Sequence, residues 1–162
     1  MNDRRCLTFE HGPNPEVLAI YADVIGMREI IDRLNELQKV GNTIVMRRWR
    51  TSQRDGLELT AERQGRGTVI HDVLITVRRD AGSTNEGALS FELASSADQV
   101  QIHCDSAGLE RLIQLLTRLS KTRQPIDHDH WMTENWAGHE LTERKMGADT
   151  TLLHQVDVRF CR

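Results

Sequence analysis

The sequence predicts an α+β protein built from two tandem ββαβββ-like repeats. We expect antiparallel sheets that each carry one helix and pack about a pseudo-twofold axis as one domain. Three observations predict this fold. The chain repeats itself at an offset of 82 residues, each copy contains one stretch with helical periodicity, and alternating apolar segments flank that stretch.

The internal repeat relates residues 7–79 to residues 89–162. Over the first 61 aligned positions, 18 residues are identical, and they include the matching segments GLELT and GHELT. A chance similarity would not keep one register over that length. We therefore expect residues 1–82 to form a first, diverged repeat and residues 83–162 to form a second repeat.

Each copy contains five apolar residues at the spacing i, i+3, i+4, i+7 and i+10, which places them on one face of an α-helix. They are Met27, Ile30, Ile31, Leu34 and Leu37 in the first copy and Leu109, Leu112, Ile113, Leu116 and Leu119 in the second. Asp23 and Asp105 precede these stretches, where a short acid can accept hydrogen bonds from the first turn. We expect both to cap their helices.

Alternating segments predict five strands in each copy. In the first copy they lie near residues 7–10, 17–21, 43–50, 57–62 and 69–77, and in the second near 89–92, 99–103, 126–132, 139–144 and 152–160. The last segment alternates over its whole length, so it predicts one continuous strand. A single repeat has a thin core, which favours two repeats that pack together.

Composition and charge exclude several classes of protein. A net charge of −3 argues against a general nucleic-acid binder. No stretch approaches the roughly 18 apolar residues needed to span a bilayer, and the N-terminus lacks the apolar segment of a secretory signal. We expect a cytoplasmic protein with no membrane association. Cys6, Cys104 and Cys161 fit neither a disulfide framework nor a zinc knuckle, and we interpret them as reduced thiols.

The charge is distributed unevenly along the chain. Residues 124–143 contain five acids and no Lys or Arg, whereas residues 43–66 contain six arginines against three acids. Two interpretations stay open. The acidic stretch can face a basic partner, where complementary charge speeds encounter, or it can pair internally with Arg47, Arg48 and Arg50.

The segment DHDHWMTENWAGHELTE, residues 127–143, concentrates three of the seven histidines and two of the three tryptophans. On a strand, His128 and His130 point to the same face, and with Glu140 or His154 they could bind a metal. No third ligand stands at a diagnostic spacing, however. Polar side chains on a strand at the edge or solvent face of a sheet are therefore the simpler interpretation.

Catalysis is not favoured by the sequence. His103 and Cys104 would lie on opposite faces of a strand, where they cannot form a nucleophile and base pair. The chain has no GxSxG, phosphate-loop or GxGxxG motif. Asp127 and Asp129 would serve as an acid and base only in a pocket. We predict that the protein is not an enzyme and needs no cofactor.

The tryptophans bear on binding. Trp131 aligns with Trp49 of the first copy, which favours core packing for that pair. Trp136 aligns with Arg54 and falls in a predicted turn. Because tryptophan is enriched in interface hot spots, Trp136 is the best single candidate for a contact residue.

The segment HDHWMTENWAGHELTE, with GLERLIQLLTRL before it and LLHQVDVRF after it, resembles the immunity protein 32 family of bacterial polymorphic toxin systems. The resemblance covers roughly residues 89–162. The matching residues are His128, His130, Thr133, Trp136, Gly138, Glu140 and Leu141. Ala137 departs from the family pattern, in which glycine follows tryptophan directly. The first copy has Met46, Arg48 and Arg54 where the two histidines and Trp136 would stand, which leaves its binding role open.

The resemblance implies a small cytosolic protein that binds and neutralises a cognate toxin of a contact-dependent or type VI secretion system. It would be a monomer or weak homodimer without nucleic-acid partners. The expected contact residues are Asp127, His128, Asp129, His130, Glu134, Trp136, His139 and Glu140. The alternative function is a metal-binding protein or metal-dependent enzyme that uses His128 and His130, and a third is a structural module that dimerises.

Overall fold

The computed structural model describes residues 5–41, 43–51, 57–79, 87–121 and 128–160. Within them the elements follow the order ββαβββ twice, which confirms the α+β class. The strands are β1 (Leu7–His11), β2 (Val17–Ala22), β3 (Ile44–Arg50), β4 (Thr68–Ile70), β5 (Asp72–Arg78), β6 (Leu89–Ala94), β7 (Gln99–Cys104), β8 (His128–Met132), β9 (Thr150–Leu153) and β10 (Gln155–Phe160). The helices are α1 (Val24–Lys39) and α2 (Ser106–Lys121), and a one-turn 3-10 helix (Glu134–Trp136) follows β8.

The strands form two five-stranded sheets, and each sheet takes strands from both halves of the chain. Sheet A has the order β4-β1-β2-β10-β8, and sheet B has the order β3-β5-β7-β6-β9. The pairs β2/β10 and β5/β7 are parallel. The expectation of antiparallel sheets is wrong at these two pairs, because β5 and β10 each join a strand of the other half. The pseudo-twofold relation between the halves stays a prediction.

The last predicted strand of each half is two strands. β4 belongs to sheet A and β5 to sheet B, with His71 between them, while β9 belongs to sheet B and β10 to sheet A, with His154 between them. The chain therefore crosses from one sheet to the other at each histidine. The buried positions shift at this crossing, since Ile70 is followed by buried Val73 rather than by a buried residue two positions on.

Residues 57–62 and 139–144, both described by the structure, do not form the predicted strands. Each segment leads from the edge strand of one sheet towards the other sheet. Its backbone is fixed there by single bonds, such as those from Thr60 N–H to the Leu7 carbonyl and from Thr142 N–H to the Leu89 carbonyl, both 2.7 Å. Alternation of polar and apolar residues predicts the buried side chains of these segments but not the absence of a continuous strand pairing; Glu58 forms an isolated bridge with Arg50 of β3.

The helices pack against each other and begin at the predicted caps. Asp23 Oδ1 accepts from Gly26 N–H at 2.7 Å, and Asp105 Oδ1 accepts from Gly108 N–H at 2.6 Å. A Cβ atom on Gly108 would lie 1.8 Å from the Ala88 carbonyl oxygen, so only glycine fits where α2 meets the preceding chain. Neither helix, within the described part of the chain, is long and apolar enough to cross a lipid bilayer.

The predicted core residues are mostly buried. Eight of the ten apolar helix residues are buried, while Ile31 and Ile113 pack against the core with part of their surface exposed. Trp49 and Trp131 are buried as predicted. Trp131 packs against Phe91 with ring centroids 6.3 Å apart, so a strand of sheet A meets a strand of sheet B inside the core.

Cys6 differs from the prediction, and Cys104 agrees with it. Cys6 is disulfide-bonded, whereas Cys104 is a free, buried thiol. The interpretation as reduced thiols is therefore wrong for Cys6, and Cys161 lies outside the described residues. Because disulfides are typical of oxidising compartments, Cys6 gives no support to the predicted cytoplasmic location. Burial, reinforced by the Asp105 carboxylate, raises the pKa of Cys104 to about 12, so this thiol is a poor nucleophile at neutral pH.

Glu92 on β6 is a fully buried carboxylate that holds the loop before β9. It accepts hydrogen bonds from the hydroxyls of Ser90 at 2.6 Å and Thr150 at 2.5 Å, and from the backbone N–H groups of Met146 at 3.0 Å and Gly147 at 2.9 Å. Burial alone would raise the pKa of Glu92, but these four hydrogen bonds outweigh it and lower the pKa below its usual value.

Glu10 on β1 has the corresponding role in the first half. It is also fully buried, and its carboxylate accepts from the backbone N–H groups of Gln64 at 2.7 Å and of Gly65 and Gly67 at 3.2 Å. Among the described residues, its donors are all backbone N–H groups, whereas Glu92 also binds two hydroxyls. Each carboxylate therefore fixes a polar loop to the outer face of a sheet.

His103 on β7 is buried close to Glu92. Its Nε2 atom donates to Gln101 Oε1 at 3.0 Å, and within the described part of the chain its Nδ1 atom is buried without a hydrogen-bond partner. Burial lowers the pKa of His103, the Glu92 carboxylate partly offsets this effect, and Arg78 adds to it. Protonation would bury an N–H group with no acceptor, so the neutral imidazole is favoured.

This arrangement predicts a loss of stability in mild acid. Because the folded state lowers the pKa of His103 below its ordinary 6.5, the unfolded chain binds the proton first as the pH falls below that value. The stabilisation is complete above pH 6.5 and declines below it. His103→Gln keeps a donor towards Gln101 but cannot titrate. Urea unfolding across this range should show a shallower decline for the variant, and equal slopes would contradict the prediction.

Candidate functional site

His128 and His130 lie on β8, which is an edge strand of sheet A, and both side chains are exposed. They share one face, with ring centroids 4.8 Å apart in an edge-to-face arrangement, as the alternation predicts. Asp129 lies between them in sequence. Its Oδ2 atom accepts from the Trp131 indole N–H at 3.1 Å and from Arg118 at 3.3 Å, so this acid also holds a core residue in place.

The outer face of sheet A places further polar side chains beside these histidines. On β10, Asp157 is the cross-strand neighbour of His130, and its Oδ1 atom lies 2.5 Å from His130 Nδ1. Gln155 donates to the same oxygen at 2.6 Å. Arg159 stands opposite His128 and approaches Asp157 at 3.7 Å. The sequence did not indicate these three β10 residues, because their proximity depends on the pairing of β10 with β8.

Trp136 lies in the 3-10 helix that follows β8. Its indole stacks on the imidazole of His154, with centroids 5.9 Å and planes 4° apart. The Thr133 hydroxyl holds His154 Nδ1 at 2.8 Å. Trp136 is half-buried, so one part of the indole is fixed by packing while another stays accessible. A pre-oriented aromatic surface of this kind suits a protein contact.

Three motif residues hold this segment in place. The Glu140 carboxylate accepts from the backbone N–H groups of Met132 and His139, both at 3.2 Å. Burial alone would raise the pKa of Glu140, but the backbone hydrogen bonds outweigh it and lower the pKa. A Cβ atom on Gly138 would lie 2.5 Å from Met132, and Leu141 is buried in the core. These residues hold the segment in place and do not project towards solvent as contact residues.

The residues predicted to contact a partner thus surround β8 and the turn after it. The exposed ones are His128, His130, Glu134 and His139, and the half-buried ones are Asp129, Trp136 and Glu140. Asp127 lies outside the described residues. The described residues of the set form one corner of the molecule at the edge of sheet A.

Residues 99–153 match the family model of immunity protein 32. The matched segment runs from β7 through α2 and β8 to β9, and it contains both exposed histidines and Trp136. It is about one third of the chain, and for this part the resemblance predicted from the motif is confirmed. No curated protein and no solved structure matches the chain.

The first half repeats the anchoring contacts of the immunity protein 32 segment. Leu141 N–H donates to the Met132 carbonyl at 3.3 Å, and 82 residues earlier Leu59 N–H donates to the Arg50 carbonyl at 3.0 Å. Both leucines are buried. The Leu and Thr residues of the shared GxELT segments therefore have an anchoring role in both halves, so their presence alone does not mark a binding site.

The acidic and basic stretches do not pair with each other in the described part of the chain. Arg48 and Arg50 approach the same oxygen of Asp72, at 3.3 Å and 3.6 Å. Asp129 pairs with Arg118 on α2. Among the residues that the structure describes, Arg48 and Arg50 are thus paired within sheet B, and the geometry gives no support to the internal-pairing interpretation.

The metal-binding alternative also gains no support from the geometry. Among the described residues, no group of three or more His, Cys, Asp or Glu side chains is placed to hold a metal ion. The two candidate third ligands have other contacts, since Glu140 binds backbone N–H groups and His154 binds the Thr133 hydroxyl. His130 is held by Asp157 instead.

Ala137, the residue that departs from the family pattern, adopts a left-handed backbone conformation with φ 65° and ψ 23°. This region favours glycine and costs other residues about 1 kcal/mol or more. Ala137→Gly should raise the free energy of unfolding by about 0.5–1 kcal/mol, since the freedom of glycine in the unfolded chain removes part of the gain. Urea unfolding measures it. Ala61→Gly, at an exposed position without positive φ, should destabilise, and similar losses in both variants would contradict the prediction.

Proposed function

We propose that the protein is an immunity protein that binds and neutralises a cognate bacterial toxin. The match of residues 99–153 to immunity protein 32 carries this proposal. The geometry supports this proposal, because His128, His130 and Trp136 of the matched segment are accessible to a partner. Gly138 and Leu141, in contrast, pack against the rest of the protein. The toxin would be one of a contact-dependent or type VI secretion system.

The proposed contact surface combines a fixed aromatic with a charged rim. Trp136, held against His154, contributes apolar area with little loss of side-chain freedom on binding. Glu134 is exposed beside it and would speed encounter with a basic face of the toxin. His128 and His130 with Arg159 would supply hydrogen bonds on the outer face of sheet A. We assign Glu140 a positioning role, since its carboxylate already binds the backbone.

Co-expression tests the proposal. The gene immediately upstream should encode a product that stops growth of a bacterial host when expressed alone. Expression of this protein should restore growth, and the two proteins should co-purify as a complex. The same host carrying His128→Ala together with Trp136→Ala should grow poorly if the variant is folded by circular dichroism. Continued growth arrest in the presence of the unaltered protein would refute the assignment.

A further inference from the structure

β3 is the edge strand of sheet B, and with seven residues it is the longest of the four edge strands that the structure describes. An exposed edge offers unpaired N–H and C=O groups to another strand, and natural proteins usually shorten it, cover it or place charged side chains on it. β3 is not shortened. Arg50 at its end forms an isolated bridge with Glu58, but the rest of β3 is still the longest edge of the described fold that is open to an additional strand.

Two bonds show which backbone groups of β3 face outward. The Thr43 carbonyl, just before β3, accepts from Arg79 N–H after β5 at 2.7 Å, while the Arg50 carbonyl accepts from Leu59 N–H on the opposite side at 3.0 Å. In an antiparallel pair the residues alternate between bonding to the partner strand and pointing away from it. The odd-numbered residues of β3 therefore bond to β5, and the even-numbered residues turn their N–H and C=O groups outward.

Because of this alternation, the backbone N–H and C=O groups of Ile44, Met46 and Arg48 are available to an added strand. Among the described residues their outward backbone groups bind no other backbone, and the Met46 carbonyl accepts from the Arg47 side chain at 3.0 Å. The side chains of Ile44 and Met46 are 50% and 53% exposed. An open edge with two exposed apolar side chains has the features of a strand-addition site.

The positive charge of this edge favours an acidic strand as its binding partner. Arg47, Arg48 and Arg50 are exposed, and Asp72 is the acid that pairs with the last two. A second copy of β3 would bring a further set of arginines to the same edge, whereas an acidic strand would neutralise them. Opposite charges on neighbouring strands stabilise pairing, and like charges directly opposite destabilise it.

We propose that β3 is a docking site for an extended acidic segment of a partner protein, which adds to sheet B as a sixth strand. The backbone of that segment bonds to Ile44, Met46 and Arg48. Its apolar side chains cover Ile44 and Met46 on one face of the sheet, and its acids pair with Arg47 on the other face. The site is on the sheet opposite to β8, and it does not depend on the proposed toxin binding.

A synthetic peptide tests this site. The probe is an eight-residue peptide in which glutamate alternates with valine, and its control has lysine in place of every glutamate. In a titration followed by NMR of the 15N-labelled protein, the acidic peptide should shift the amide signals of Ile44, Met46 and Arg48 saturably. The lysine peptide should not. Absence of binding by the acidic peptide, shifts centred elsewhere, or equal binding of both peptides would overturn the proposal.

Two variants separate strand addition from unspecific attraction. Met46→Pro removes an outward N–H group and leaves the bonds from β3 to β5 in place, and Arg47→Glu reverses one exposed charge. Each should weaken acidic-peptide binding about tenfold or more. Arg47→Glu decides the test if Met46→Pro unfolds. Unchanged affinity in both variants would overturn the proposal. So would a concentration-dependent dimer in sedimentation that either variant abolishes, because the strand added to β3 would then come from a second copy of this chain.

Discussion

Glu92→Leu should lower the free energy of unfolding by about 3 kcal/mol or more, because a buried donor left without its acceptor costs about 1–3 kcal/mol. The substitution removes the acceptor from four donors at once, the hydroxyls of Ser90 and Thr150 and the N–H groups of Met146 and Gly147. Domains are stable by only about 5–15 kcal/mol. Urea unfolding followed by circular dichroism should show this loss as a much lower midpoint.

Two matched variants identify the cause of the Glu92 effect. Glu92→Gln keeps the shape and one oxygen acceptor, so it should lose less stability than Glu92→Leu. Glu110→Leu removes an exposed acid on α2 and should change the free energy of unfolding by about 0.5 kcal/mol or less. Because the folded state lowers the pKa of Glu92 below its ordinary 4.5, its stabilisation is present above that pH and lost as the pH falls. A Glu92→Leu protein as stable as Glu110→Leu would contradict the assigned role.

Local features of the fold were predictable because they depend on residues close in sequence. Asp23 and Asp105 cap their helices as expected, since a capping acid and its N–H donor are three residues apart. The burial of Leu34 and Leu116 follows from helical spacing in the same way. These features need no knowledge of the other half of the chain.

The sheet arrangement was not predictable on the same basis. Alternation shows which residues of a strand share a face, but it does not show which strand lies beside it. At the crossings near His71 and His154, the sequence therefore predicts one continuous strand where the structure has two. A signal was present in the sequence at the first crossing, where the polar residues His71 and Asp72 separate Ile70 from Val73, whereas the apolar residues on one face of an uninterrupted strand are two positions apart.

The residues of the candidate site also differ in whether their positions depend on nearby or on distant parts of the sequence. His128 and His130 share an exposed face because they are two residues apart on one strand. Asp157 joins them through the pairing of β10 with β8, 27 residues away along the chain. The motif predicts Glu140 as a contact residue, but its carboxylate binds the N–H group of Met132 at the end of β8. This hydrogen bond depends on the turn between Met132 and Glu140, and the spacing of apolar residues does not predict that turn.

Trp136→Ala should weaken the complex with the cognate toxin by about 30-fold or more, equivalent to about 2 kcal/mol, if the proposed function holds. The indole is half-buried and stacked on His154, so it is already ordered before the toxin binds. Surface plasmon resonance should locate the loss in faster dissociation, with the association rate nearly unchanged.

Two further variants show whether the effect belongs to the contact surface. Glu134→Lys reverses an exposed charge beside Trp136, and it should slow association and reduce its salt dependence with little effect on dissociation. Trp136→Phe keeps an aromatic ring against His154 and should lose less affinity than alanine. The free energy of unfolding of each variant separates lost contact from lost folding. If Trp136→Ala and Glu134→Lys both bind the toxin as the unaltered protein does, the toxin contacts a surface other than this corner of sheet A.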